Sequence, residues 1–227
     1  MKLAATLEPE QLGHGTTVGF AFEITSNTKL VPPALVDAEL LYPGNLGFAV
    51  SGLGLATCAP AKLAAHGPPA CPVNSRMGFG SAVAELKAEG LIISEAVSVT
   101  IVRGPTREGH LALLFYANGS KPVSAQIVFP GLLVPAGAPF GGAVSFDVPL
   151  VPSWPEGPDL SIVKLYSTLG PKHLTYYEKV KGKSVPYNPQ GILLPKVCPR
   201  GGFRFAGVFH FIDGSRSVAK TAVPCPS

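Results

Sequence analysis

The sequence predicts an all-β protein: an antiparallel two-sheet β-sandwich, jelly-roll or immunoglobulin-like, carrying two disulfides. Three observations predict it. Gly (26) and Pro (24) fill about a fifth of the 227 residues, roughly twice the average share of about 12%. Breakers at that density leave no room for long helices. Apolar residues recur at period two in one short segment after another, the pattern of half-buried strands. No convincing long helix falls between strands, so parallel βαβ units are not expected, and two antiparallel sheets packed face to face are. A hydrophobic share of 46% against 14% charged excludes a disordered polar chain and a coiled coil.

Residues 16–25 open the pattern, with Val18, Phe20, Phe22 and Ile24 on one face. Val36 to Leu41 follows and stops at Tyr42-Pro43-Gly44. Residues 43–82 read as a long irregular excursion with a short helix near Pro60 to Ala65. Loops of that length are stapled or functional. Residues 92–102 are strand-like, and His110 to Tyr116 and Val123 to Phe129 flank Ala117-Asn118-Gly119-Ser120. Asn-Gly accepts the positive φ angles of a tight hairpin turn, a role that also accounts for the glycosylation pattern at Asn118-Gly119-Ser120. Gly142 to Pro149 places Val144, Phe146 and Val148 at period two, and a Pro-rich linker then holds the single tryptophan, Trp154. Leu160 to Tyr166, Thr175 to Val180 and Gly191 to Leu194 are further short strands. Phe203, Phe205, Phe209 and Phe211 share a face, Asp213-Gly214 turns the chain, and Ser217 to Val223 returns. The whole of 1–227 is expected to form one domain, with two β halves split near 103–109 as the alternative.

Four cysteines allow three pairings. The local one, Cys58–Cys71 with Cys198–Cys225, is expected, because the Asp213-Gly214 hairpin brings Cys225 to within a few residues of Cys198. Even pairing and low charge favour an oxidising compartment. Met1-Lys2-Leu3 runs on without an apolar stretch, so an export leader, if present in the natural protein, is expected to have been removed. No window of 18 uninterrupted apolar residues predicts a transmembrane segment.

The net charge of +4 is mild for this length. The densest basic stretch, Lys172 to Lys183, alternates Lys179, Lys181 and Lys183 beside Tyr176 and Tyr177. It lacks the arginines of a phosphate-reading surface, and nucleic acid is not expected as a partner. Metal and cofactor sites are not expected either. Neither a C-x-x-C nor an Asp-rich loop occurs, and no His stands at zinc-finger spacing from a Cys. There is no G-x-S-x-G, no H-E-x-x-H and no P-loop. The Gly78-Phe79-Gly80-Ser81 run fits a glycine-bearing strand or bulge better than a phosphate loop. No catalytic residue is assigned. Trp154, Tyr166, Tyr176 and Tyr177 are the candidate binding aromatics, a platform for a sugar or a partner protein.

The segments Leu53-Gly54-Leu55-Ala56-Thr57-Cys58, Cys71-Pro72-Val73-Asn74-Ser75-Arg76-Met77-Gly78-Phe79-Gly80 and Cys198-Pro199-Arg200-Gly201-Gly202-Phe203, with Asp213-Gly214 and Val223-Pro224-Cys225-Pro226, resemble β-rich secreted proteins of actinobacteria. The paired Cys-Pro motifs are the most distinctive part of the likeness, which covers most of the chain. It implies an exported, disulfide-bonded protein and implies no activity.

The expected function is a non-catalytic secreted or cell-surface module, acting by binding or in envelope assembly, with cell-wall glycan or a surface protein as partner. A homo-oligomer also suits the low charge. One alternative is a carbohydrate-active or esterase-like hydrolase using His110, His210 and Asp147. Another is a self-assembling surface or filament subunit that adds strands at Lys2 to Leu7.

Overall fold

The computed structural model describes residues 1–26, 30–47, 52–120, 124–152 and 159–226. The chain runs β1 (Lys2–Glu8), β2 (Gly15–Glu23), β3 (Leu35–Pro43), α1 (Pro60–His66), β4 (Arg76–Ala88), β5 (Leu91–Arg103), β6 (Ala112–Gly119) and β7 (Gln126–Pro135). It continues through β8 (Phe140–Asp147), β9 (Ser161–Leu169), β10 (Tyr176–Val180), β11 (Lys183–Tyr187), β12 (Ile192–Leu193), β13 (Phe203–Phe211) and β14 (Arg216–Val223). The all-β class and both disulfides are as the sequence predicts. Cys58 pairs with Cys71 and Cys198 with Cys225, with Cα atoms 5.2 and 6.0 Å apart.

The layering differs from the two separate sheets expected of a sandwich. Eleven strands lie on one hydrogen-bonded path, β1-β2-β9-β4-β5-β6-β7-β8-β3-β13-β14, and β12 pairs with β2 off that path. The path's two edges, β1 and β14, come together, so the sheet is a nearly closed barrel. A curled sheet hides its inner face from water just as two stacked sheets do, and period-two patterning does not separate the two solutions. The sheet also runs through the seam at 103–109, because β5 and β6 on either side of it are hydrogen-bonded neighbours.

Every neighbour on the path is antiparallel. Connections therefore fall at one of two ends. An open end gathers the β2–β3 and β8–β9 connections and the turns of the β4–β5, β6–β7 and β13–β14 hairpins. A stapled end gathers the β3–β4 excursion with α1, the long β9–β13 segment, and both disulfides.

Two local expectations need correction. The excursion ends at Arg76 and not at residue 82, because β4 is a strand throughout. Its Ala-Glu-Leu-Lys composition favours helix, yet it pairs along its length with the β-branched β5. The turn between them is Glu89-Gly90, both at positive φ (48° and 81°), the two-residue geometry that matches strand twist. Asn118 and Gly119 are not the turn of the next hairpin. Both lie within β6, opposite Ser98 and Val97 of β5, and Gly119 N–H donates to Ala125 O at 2.9 Å. The Asp213-Gly214 turn is as expected, with Gly214 at φ 81°.

The barrel interior is built from the period-two faces: Phe20 and Phe22 of β2 with Ile24 just past it, Phe146 of β8, and Phe203, Phe205, Phe209 and Phe211 of β13 are all buried. Phe22 meets Phe209 edge-on, ring centroids 5.0 Å apart. Gly207 is obligatory beside them, because a Cβ there would collide with the Phe209 ring. A smaller core lies outside the sheet. There Leu63 of α1 and the Cys58–Cys71 bridge pack on the outward-facing Val102, Leu114 and Tyr116.

Phe209 is fully buried, so Phe209→Ala should destabilise the fold by about 3–5 kcal/mol in urea unfolding. Replacing Cys58 and Cys71 by Ser should cost about 3 kcal/mol in the same measurement, with the barrel's near-ultraviolet circular dichroism retained. The small outer core depends on that bridge, whereas the inner core does not.

Candidate functional site

The interior of the barrel is filled unevenly. Towards the stapled end its inward positions carry Phe20, Met77, Ile101, Leu113 and Phe205, all buried. Towards the open end the inward positions of β4 are Ala82 and Ala84, and those of β6 are Ala117 and Gly119. These small residues flank β5 on both sides, with Ala82 and Gly119 opposite Val97 and Ala117 opposite Val99. The space they leave is a cavity of about 110 Å³, walled also by Phe22, Phe115, Phe129, Phe146 and Leu165. Protein interiors normally close such space to crystal-like density. Deeper in the barrel lies a second cavity of about 70 Å³, lined by Val18, Phe20, Tyr42, Leu113, Ile192 and Phe205. Leu40, Phe115 and Ser167 belong to both linings, so the Phe115 ring stands between the two. That ring stacks on Phe129 at 5.2 Å and tilts against Phe146 at 5.4 Å.

The wall is apolar with few exceptions. Glu95 of β5, opposite Ala84, is the one ionisable side chain lining the first cavity among the described residues, and it is 2% exposed. In the second cavity, burial pushes the Tyr42 phenol above its ordinary pKa, so the hydroxyl stays protonated. The open end around the first cavity also carries Leu30, Leu91, Ile92, Leu150 and Ile212, all exposed.

The candidate aromatics are not assembled into one platform. Trp154 lies outside the described residues. Tyr176 is wholly buried, and its hydroxyl ties two segments of the excursion together. It donates to the Arg76 carbonyl oxygen and accepts from Gly54 N–H at 2.8 Å. Burial raises its phenol pKa, partly offset by the Gly54 N–H. Tyr177 is exposed on β10. Tyr166 is half exposed on the outer face of β9, in an open groove of about 840 Å³ that also holds Lys2, Ala21, Glu23, Ser81, Lys164 and Lys220. Glu23 lies 3.2 Å from Lys164 and 3.9 Å from Lys2. The hydrogen bond and charge of Lys164 hold its carboxyl below the usual range.

The three candidate hydrolase residues are separated. His110 lies in the β5–β6 loop at the stapled end, bridged to Arg107. His210 and Asp147 are at the open end, on the outer face, with Asp37 of β3 between them in register. Asp37 Oδ1 is 2.6 Å from His210 Nδ1, and Arg216 of β14 stands on the far side of His210. Four side chains on four adjacent strands thus form a row in which Asp37 hydrogen-bonds His210 while Asp147 stands opposite Asp37 as a second carboxyl, a like-charge neighbour that does not stabilise the sheet. The row contains no hydroxyl or thiol to act as nucleophile. Asp37 escaped the sequence reasoning because the pairing depends on which strands are neighbours.

The Gly78-Phe79-Gly80-Ser81 run is part of β4, with a register shift between Arg76 and Gly78. A Cβ at Gly78 would strike the Thr168 carbonyl oxygen of β9, which explains the glycine by close approach of backbones. Among the described residues no cluster of three or more His, Cys, Asp or Glu could hold a metal ion, and no helix is long and apolar enough to cross a membrane.

These features define a class: a disulfide-stapled, nearly closed antiparallel barrel with an unfilled apolar interior at one end. No family model, no curated protein and no solved structure matches the chain.

Tyr176→Phe removes one hydroxyl and leaves Gly54 N–H and the Arg76 carbonyl without it. The variant should lose about 1–3 kcal/mol of stability by urea unfolding. A loss under a few tenths would mean that the hydroxyl does not tie the excursion down.

Proposed function

We propose that this protein is an exported, non-catalytic binding module whose site is the apolar cavity at the open end of the barrel. The observation that carries the proposal is the set of small residues, Ala82, Ala84, Ala117 and Gly119, lining the larger of the two interior cavities among aromatic and branched residues. Filling such a space with larger side chains would stabilise the fold, so leaving it open makes sense if something else enters. A cavity of about 110 Å³ is close in scale to the apolar void of about 150 Å³ that stays dry and takes up benzene. The ligand class is therefore a small apolar group, one ring or a short acyl segment, entering past the exposed leucine and isoleucine side chains at that end. Export is supported by the two bridges, which persist in oxidising compartments, and by the paired Cys-Pro motifs.

A second reading is favoured by the groove around Tyr166. An exposed tyrosine ring beside Lys2, Glu23, Lys164 and Ser81 offers a stacking face with hydrogen-bonding groups around it, the chemistry that holds a sugar. It would make the module a glycan binder and give cell-wall glycan as the partner.

Toluene titrated into protein with ¹³C-labelled methyl groups decides between the two. Shifts centred on Val97, Val99, Leu165 and Ile127 are expected, with Ala84→Leu weakening the interaction at least tenfold without lowering the melting temperature. Tyr166→Ala should leave toluene binding unchanged. If toluene moves no interior methyl, while a soluble cell-wall glycan fragment shifts Tyr166 and its neighbours, the interior site is wrong and the groove is the binding surface.

A further inference from the structure

The β10–β11 hairpin is a two-stranded sheet of its own, outside the barrel's hydrogen-bonded path. Its root is clamped. Tyr176 is buried there, and Tyr187, opposite it, packs edge-on at 6.0 Å. Asn74 grips the next residue by its backbone: the side-chain oxygen accepts from Tyr177 N–H at 2.9 Å, and the side-chain nitrogen donates to Tyr177 O at 2.7 Å. Beyond the root every residue from 177 to 186 is exposed. The turn is Lys181-Gly182, both at positive φ (50° and 81°), the tight two-residue form that keeps the strands in register. The result is a stiff finger.

Its composition is amphipathic. Lys179, Lys181 and Lys183 outnumber one acid, Glu178, which stands opposite Val185, and Tyr177, Val180 and Val185 are exposed by 46%, 43% and 38%. Val180 is opposite Lys183 in the last pair before the turn. Two-stranded hairpins are marginally stable alone, and the two valines of this one keep a large share of their apolar surface in water. The hairpin also leaves the molecule at the stapled end, where Lys62, Lys196 and Arg200 are exposed and Val197 is 77% exposed. The strand ends and turns of the open end carry Asp37, Glu89, Asp147, Asp159 and Asp213. Lys2, Lys87, Lys164 and Arg216 also lie at the open end and offset part of these acids, so the stapled end is the more basic of the two, and an anionic surface would orient the molecule with the finger towards it.

We propose that the β10–β11 hairpin is a docking finger for an anionic lipid surface. The lysines neutralise headgroup phosphates, while Val180 and Val185 enter the boundary between headgroups and acyl chains. Lysine stems lie along that boundary with their ammonium groups at the phosphates. The valines favour lipid over a soluble polyanion. A polyanion would engage the lysines alone, whereas buried apolar area adds to electrostatic attraction only at a membrane.

The test is co-sedimentation of the full chain with phosphatidylcholine vesicles, with and without phosphatidylglycerol. The protein should sediment with the anionic vesicles and not with the neutral ones. K179Q/K181Q/K183Q should weaken that association on the order of a hundredfold. V180S/V185S should weaken it severalfold and leave a more salt-sensitive remainder. All substituted side chains are exposed, and unchanged near-ultraviolet circular dichroism would confirm the fold of each variant. The proposal is overturned if anionic vesicles fail to sediment the protein, or if the lysine variant binds them as well as the parent. It is also overturned if the valine variant binds unchanged while soluble polyphosphate competes through the same lysines, which would make the partner a polyanion.

Discussion

Closure of one sheet is the constraint on which the rest of this structure depends. An antiparallel sheet of eleven strands on a single path cannot leave its apolar face in water, and here it curls until β1 meets β14. The number of strands then sets the girth, and the girth sets the volume that side chains must fill. About eight strands leave an interior that side chains can just fill. Eleven leave more. The phenylalanines of β2 and β13 and the Phe115–Phe129–Phe146 group occupy much of the excess. Where alanine and glycine take the inward positions of β4 and β6, the excess stays open.

The insertions at the stapled end face the opposite problem. The β3–β4 excursion lies on the outside of a sheet whose apolar face is already turned inward. Leu46 and Leu53 reach the larger buried clusters, while Leu63 and the Cys58–Cys71 bridge pack on a few outward apolar residues of β5 and β6. So small a core cannot hold a long connection by burial alone. The bridge, the Tyr176 hydroxyl and the Asn74 side chain supply fixed points instead. Those same fixed points form the socket of the β10–β11 hairpin. Stapling the excursion and presenting the hairpin are one piece of structure.

Much of this was legible in the sequence wherever one residue type recurs at a fixed interval. The inward faces of β2, β8 and β13, the Asp213-Gly214 turn and both disulfide pairings depend on local order along the chain, and patterning reads local order well. Closure was not legible, because alternation looks the same on a barrel and on a sandwich. The start of β4 was hidden because Gly78 and Gly80 break its apolar alternation, and it is pairing on both sides, with β5 and β9, that makes it a strand. At Asn118-Gly119 a strong turn signal lost to the register of β5 and β6. The interior cavity gives no positive signal at all, since it consists of side chains that are small. The Asp37–His210 pair joins residues 173 positions apart, a distance that only the neighbour relation of β3 and β13 removes.

Both covalent links sit at one end of the barrel, and this makes the two ends unequal in time as well as in shape. At the open end, strand termini can fray by small local openings that break a few hydrogen bonds each. At the stapled end, the same amides are held by chain that is cross-linked and clipped, so they open only with larger cooperative units. Amide hydrogen exchange should therefore form a gradient along each long strand, slow near Met77 and Arg103 and faster towards Ala88 and Leu91. The fast end of that gradient is the end that holds the void. If the proposed apolar ligand binds there, breathing of the strand ends would let it enter and leave without melting of the fold.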